Sequence, residues 1–181
     1  MAEPPRRIVL VGFMGSGKTT VGQSLAALLR WTFVDMDAQI EEETGLSVAG
    51  IFRGPGEAFF RERETRLALA LRDQVHLVVA AGGGAFAIPA TREALRAGAA
   101  TVWLRCDAET ILSRVPLDGS RPLASSRETI RRLLAEREPS YRLADLTVDA
   151  SGRSPEAVAG EIADCLFAGG PAAGPGGRPA R

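Results

Sequence analysis

The eight residues Gly12-Phe13-Met14-Gly15-Ser16-Gly17-Lys18-Thr19 match the pattern G-x-x-x-x-G-K-[ST] at every fixed position. In such a loop the glycines let backbone N–H groups converge on an anion at a helix N-terminus. The lysine adds a compact positive charge, and the hydroxyl that follows it suits Mg2+. A chance Gly-rich turn is the bland alternative. Against it, the loop follows a short apolar run and opens a helical pattern, and Lys18 is the one lysine in a chain whose other cations are all arginine. The segment therefore reads as a cradle for the β- and γ-phosphates of a nucleotide. A guanine-reading N-K-x-D element is excluded by the lack of a second lysine. The apolar run 76–80 ends in glycines where many motor-type ATPases carry an acid. A small kinase remains.

Candidate acceptor-side residues lie further along. Asp35 and Asp37 close the next apolar segment two residues apart. If the extended conformation continues, both point to one side at the carboxyl end of a strand, where open α/β sheets bind ligands. Taken alone, Asp37 would read as the cap of a helix starting near residue 38. Beside a nucleotide loop it reads as chemistry. In the helical pattern 57–72, Phe60, Glu64, Leu67 and Leu71 share one stripe. A carboxylate on an apolar stripe needs a partner, and Arg61 stands three residues before Glu64; an ordinary surface ion pair is the alternative. Ile130, Leu133, Leu134 and Arg137 share a face of helix 128–138, which Pro139 is expected to end. Arg137 then faces inward, with a snorkelling side chain as the alternative. Two inward arginines suggest a clamp for a carboxylate. Gly82-Gly83-Gly84, directly after a strand, is either a tight turn or bare backbone that a ligand can approach. Arg121, ahead of Pro122 in a polar stretch, is either an exposed loop arginine or one that closes over a transferring phosphoryl group.

These residues need a frame. Short apolar runs at 8–11, 32–35, 76–80, 100–105 and 146–148 read as strands. They alternate with helical patterns at 19–29, 38–44, 47–52, 57–72, 91–97, 107–115, 128–138 and 155–167. Alternation of this kind predicts an α/β sandwich around a mostly parallel sheet of about five strands. The first helix is expected to bury Val21, Leu25, Leu28 and Leu29. Residues 1–167 form the expected single domain, with 116–127 as a lid; 168–181, almost entirely Gly, Pro and Ala, are expected to be disordered. The chain has 181 residues, 45% of them hydrophobic, ample for one core. Lys+Arg and Asp+Glu are both 22, so nothing favours a nucleic-acid or membrane-surface partner. Arg6 and Arg7 before an apolar run resemble a signal peptide only superficially, because the run is too short. Cys106 and Cys165 lack metal or disulfide spacing and read as buried thiols of a cytoplasmic protein. His76 reads as a structural strand residue, and Trp31 and Trp103 as packing residues.

Taken together, the GSGK-T loop, F-V-D-M-D (33–37), G-E-x-x-F-R-x-x-E (56–64), the three glycines 82–84, R-P-L (121–123) and R-x-P-x-Y (137–141) resemble the shikimate kinase family. The resemblance covers residues 6–167. It implies a P-loop, nucleoside-monophosphate-kinase-like fold, a three-layer sandwich with strand order 2-3-1-4-5 and a lid. It also implies ATP-dependent phosphorylation of the 3-hydroxyl of shikimate in aromatic amino-acid biosynthesis, by a monomer using ATP and Mg2+. On the same resemblance, Gly15, Ser16, Gly17, Lys18, Thr19 and Thr20 would surround the nucleotide phosphates, and Thr19 and Asp35 would place Mg2+. Asp37 would engage the acceptor hydroxyl. Arg61, Gly83 and Arg137 would hold shikimate, Arg121 would reach the phosphates from the lid, and Arg114 and Arg153 would flank the adenine. A gluconate-type sugar-acid kinase and a non-catalytic ATP-responsive module are the competing functions.

Overall fold

The computed structural model describes residues 4–118 and 122–167. Arg121 and the segment 168–181 lie outside the described residues. Five strands, β1 (Arg7–Val11), β2 (Thr32–Asp35), β3 (Leu77–Ala80), β4 (Ala100–Arg105) and β5 (Leu146–Asp149), form one all-parallel sheet in the order β2-β3-β1-β4-β5. Helices cover both faces: α1 (Lys18–Leu29), α2 (Met36–Thr44), α3 (Val48–Arg53), α4 (Glu57–Leu71), α5 (Pro89–Arg96), α6 (Ala108–Arg114), α7 (Arg127–Tyr141) and α8 (Pro155–Phe167). The three central strands β3, β1 and β4 are apolar on both faces, as a sheet covered twice requires. Among the described residues no helix is long and apolar enough to cross a membrane.

Several local expectations shift for identifiable reasons. The buried face of α1 is Val21, Gly22, Leu25 and Ala26, while Leu28 is 57% exposed. Gly22 belongs to that face because the Phe33 ring lies against it; a Cβ there would stand 2.4 Å from the ring. Strand β1 begins one residue early, at Arg7, whose side chain is only 1% exposed. Its guanidinium donates to the carbonyl of Leu71 at the end of α4 and to those of Leu95 (3.4 Å) and Ala97 (2.6 Å) at the end of α5. A buried cation thus meets the negative ends of two helix dipoles. His76 precedes β3 in a left-handed conformation (φ 53°), exposed, with its ring edge-on to Trp31. Cys106 is buried, whereas Cys165 is only half-buried. Pro139 does not end α7. The helix continues one further turn and brings Tyr141 into the core, where its ring packs near Trp103.

Candidate active site

The phosphate loop joins β1 to α1, and three of its glycines occupy conformations that a side chain would strain. Gly12, Gly15 and Gly17 have φ of 143°, 78° and 92°. The Lys18 ammonium folds back to donate to the carbonyls of Gly12 (2.9 Å) and Phe13 (2.8 Å), which fixes the loop's curvature. Cys106 supports the loop from below through Ser16 O at 3.7 Å. Burial pushes that thiol's pKa up, so it packs as an inert side chain.

Strand β2 stops at Asp35, and Met36 already begins α2. The extended chain therefore does not continue to Asp37, and the expected reason for the two carboxylates sharing a side does not hold. Asp35 is the helix cap: its Oδ1 accepts from the N–H groups of Asp37 (3.0 Å) and Ala38 (3.3 Å). Its Oδ2 accepts from Thr19 Oγ1 at 2.6 Å. Asp37 sits in the first turn of α2, and both carboxylates still face one cavity.

That cavity, about 730 Å³, opens at the carboxyl ends of the strands. It is lined by residues 15–20 together with Asp35, Asp37, Gly83, Arg114 and Arg153, so most of the expected nucleotide-side residues meet there. Thr20 Oγ1 donates to Gly17 O (3.1 Å) and Arg114 to Gly15 O (3.3 Å). Arg153 is held by Asp149 O (3.0 Å) and Glu161 Oε2 (2.5 Å). The Thr19 hydroxyl and Asp35 carboxylate supply two hard oxygen donors side by side. No cluster of three or more His, Cys, Asp or Glu occurs among the described residues. This sparse donor set fits Mg2+, which keeps waters and takes substrate phosphate oxygens as its remaining ligands.

A second chamber of about 60 Å³ adjoins the first, sharing Met14, Asp37, Val48 and Gly83 with it. Arg61 enters it from α4 and Arg137 from α7, so the two arginines do converge. Arg61 Nη1 donates to Glu64 Oε2 at 2.6 Å and its Nη2 to Glu57 Oε1 at 3.0 Å. The surface-pair alternative is excluded for Glu64, which is 0% exposed. Burial pushes the Glu64 carboxyl above its ordinary pKa, against the pull of Arg61, and Asp37 adds to the shift. Arg137 is 9% exposed and makes no ion pair among the described residues. Phe52, Phe60 and Leu123 also line the wall; Phe60 lies on the stripe expected from sequence and Leu123 in the R-P-L segment, whereas Phe52 carried no such signal.

The three glycines after β3 answer mainly to space. None of them adopts a left-handed conformation. A Cβ on Gly82 would stand 2.1 Å from Glu64 Oε1 and 2.8 Å from Asp37 Oδ1. One on Gly84 would stand 2.7 Å from both terminal nitrogens of Arg61. Two of the glycines thus make room for the site's own side chains, and Gly83 borders both chambers. Tyr141, absent from the expected site, donates its hydroxyl proton to Gly83 O. Its pKa is pushed up to about 12 by burial, so the donor proton is kept. The signal for it was present, since Ile130, Leu134, Arg137 and Tyr141 continue one helical stripe; treating Pro139 as a stop concealed it.

Comparisons with known proteins point the same way. A family model described as shikimate kinase matches residues 14–167. The shikimate kinase of Moorella thermoacetica is 47% identical over 166 residues, covering 91% of this chain and 96% of its own. That of Halorhodospira halophila is 44% identical over 166 residues, covering 90% and 94%. Among solved structures, shikimate kinase from Acinetobacter baumannii in complex with shikimate superposes with a TM-score of 0.88 at 37% identity, covering 92% of this chain and 95% of that one. A gluconokinase from Sinorhizobium meliloti shares only the fold, at TM-score 0.55 and 18% identity. With this sheet order, this phosphate loop and these matches across most of its length, the chain belongs to the shikimate kinase family.

Proposed function

We propose that the two chambers carry out ATP-dependent phosphorylation of the 3-hydroxyl of shikimate, giving shikimate 3-phosphate and ADP for aromatic amino-acid biosynthesis. The carrying observation is Arg137, a residue only 9% exposed, with no ion pair among the described residues, lining a chamber that Arg61 also lines. A buried cation is costly unless an anion joins it, and a substrate carboxylate between two planar guanidinium groups supplies one.

In this reading the large cavity holds the nucleotide. The backbone amides of residues 15–19 receive its phosphates, and Lys18 exchanges two carbonyl partners for phosphate oxygens as the loop fills. Arg114 and Arg153 border the base. Thr19 and Asp35 hold Mg2+, which offsets phosphate charge when bound. Arg61, Arg137 and Gly83 hold the acid, placing its 3-hydroxyl at the boundary between the chambers. Asp37 stands at that boundary, lining both. Its carboxylate orients the hydroxyl and takes its proton as the oxygen bonds to the γ-phosphorus and the bond to the ADP oxygen breaks.

The test is ADP release measured with shikimate, gluconate and nucleoside monophosphates in parallel, each with Mg2+. Turnover confined to shikimate is expected. Preference for gluconate or a monophosphate would overturn the assignment, and binding without turnover would indicate a non-catalytic module.

A further inference from the structure

Phe13 carries an x position in the loop motif, and nothing in nucleotide binding demands an aromatic side chain there. The residue is 2% exposed and is not among those lining the nucleotide-side cavity. The Arg137 guanidinium lies against it, with Cζ 5.7 Å from the ring centroid. The face of an aromatic ring attracts a cation, more strongly where water is excluded. The backbone of the same residue is gripped from the other chamber, because Phe13 O accepts from Lys18 Nζ at 2.8 Å. The packing between the two chambers is tight. At Gly83 a Cβ would lie 3.3 Å from Met14 N and 3.7 Å from Arg137 Nη1, and Gly83 O is fixed by Tyr141. No carboxylate of the described residues makes an ion pair with Arg137, so the Phe13 ring shares the setting of the guanidinium's orientation only with the nearby Tyr141 hydroxyl and the longer-range pull of Glu64.

We infer that Phe13 is a positioning residue: its ring orients Arg137 toward the substrate carboxylate, and its backbone makes that orientation depend on the occupancy of the phosphate loop. When Lys18 turns to phosphate oxygens it releases the carbonyls of Gly12 and Phe13, and the resulting adjustment of residue 13 is felt at Arg137. Coupling of this kind is reciprocal, so each ligand must tighten the other by the same factor. The inference rests on the proposed acid-binding role of Arg137.

Calorimetry tests it. Shikimate is titrated into the protein alone and into the protein saturated with Mg2+ and AMP-PNP, a non-hydrolysable ATP analogue. For the unaltered protein the nucleotide analogue is expected to tighten shikimate by about fivefold or more. Phe13→Leu keeps an apolar side chain but removes the π face. It is expected to weaken shikimate by roughly threefold to thirtyfold, bring the tightening ratio close to one, and leave AMP-PNP affinity without shikimate within about twofold. Combined with Arg137→Lys, the two effects on shikimate affinity should fall well short of additive, because both act through one contact. Fluorinated phenylalanines at position 13 weaken the ring's negative face with little change of shape, and should lower shikimate affinity in order of fluorine number even if Phe13→Leu fails to fold. Additive effects in the double variant, an unchanged tightening ratio, or a flat fluorine series would each overturn the inference. Failure of the unaltered protein to bind shikimate at all would instead overturn the proposed function.

Discussion

Replacing Gly82 by alanine is the sharpest single perturbation of this site, because the added atom meets both carboxylates of the substrate side. The new Cβ would stand 2.1 Å from Glu64 Oε1 and 2.8 Å from Asp37 Oδ1, where real contacts stay above 3.0 Å. The backbone has little room to move aside: Gly82 follows two residues after β3, which is buried and hydrogen-bonded to β1 and β2, Ala81 N–H donates to Leu10 O (3.0 Å), and Gly82 O accepts from Ala85 N–H (3.0 Å). Glu64 must therefore retreat by about 1 Å, taking with it the Arg61 guanidinium bonded at 2.6 Å, and Asp37 must shift as well. Misplacement of reacting groups by about 1 Å costs ~10²-fold in rate. We expect kcat/KM for shikimate to fall by about that factor, with overpacking lowering stability by about 1–3 kcal/mol. Gly83→Ala is the control, because its Cβ has no contact shorter than 3.3 Å, meeting Met14 N at 3.3 Å, Arg137 Nη1 at 3.7 Å and Gly12 O at 3.8 Å; a loss of about tenfold or less is expected. Initial rates at varied shikimate and ATP, with thermal melts of both variants, decide the matter. Near-normal kcat/KM for a folded Gly82→Ala, or greater damage from Gly83→Ala, would refute the reasoning.

Asp35→Asn retains the α2 cap, because asparagine caps as well as aspartate, so its loss of activity should be partly relieved by raised Mg2+. Asp37→Asn should lose at least ~10² in kcat with nucleotide binding nearly unchanged and no relief by Mg2+; a Mg2+ titration giving the reverse pattern would exchange the two roles. Because the folded-state pKa of Glu64 is raised, the folded protein binds its proton more tightly, and that contribution is complete below the unfolded value of about 4.3 and lost as pH rises through the folded value. Denaturant midpoints should accordingly show a downward slope over that window that flattens in Glu64→Gln; an unchanged slope would contradict the assignment. Arg7→Met leaves buried helix-end carbonyls without donors, at a cost of about 3 kcal/mol and a drop in Tm of roughly 6–12 °C. KM for shikimate measured well below the melt should not change, since Arg7 lies at the opposite end of the sheet from the site.

Much of this protein is legible along the chain because the relevant physics is local. A parallel sheet covered on both faces requires apolar runs of four to six residues, and their alternation with helical stripes is visible without coordinates. The loop at residues 12–19 is legible because tight curvature needs glycine and phosphate needs a fixed cation. Glu64 is legible because a carboxylate on the apolar stripe of α4 demands a neighbour, and Arg61 stands within one turn. What only the tertiary structure decides involves partners far apart in sequence. Arg7, unremarkable at the start of the chain, is buried by carbonyls 64 to 90 residues away. The convergence of Arg61 with Arg137, and the ring of Phe13 beneath the latter, exist only once α7 has docked over the sheet. Asp35 and Asp37 share a cavity because a helix begins between them, the opposite of the extended geometry that spacing alone implies. The glycines after β3 look like a flexible turn until Glu64, Asp37 and Arg61 occupy the space their missing side chains leave. Periodicity reports which face of an element is buried, but the identity of what is buried against it depends on chain closure, and no local pattern carries that information.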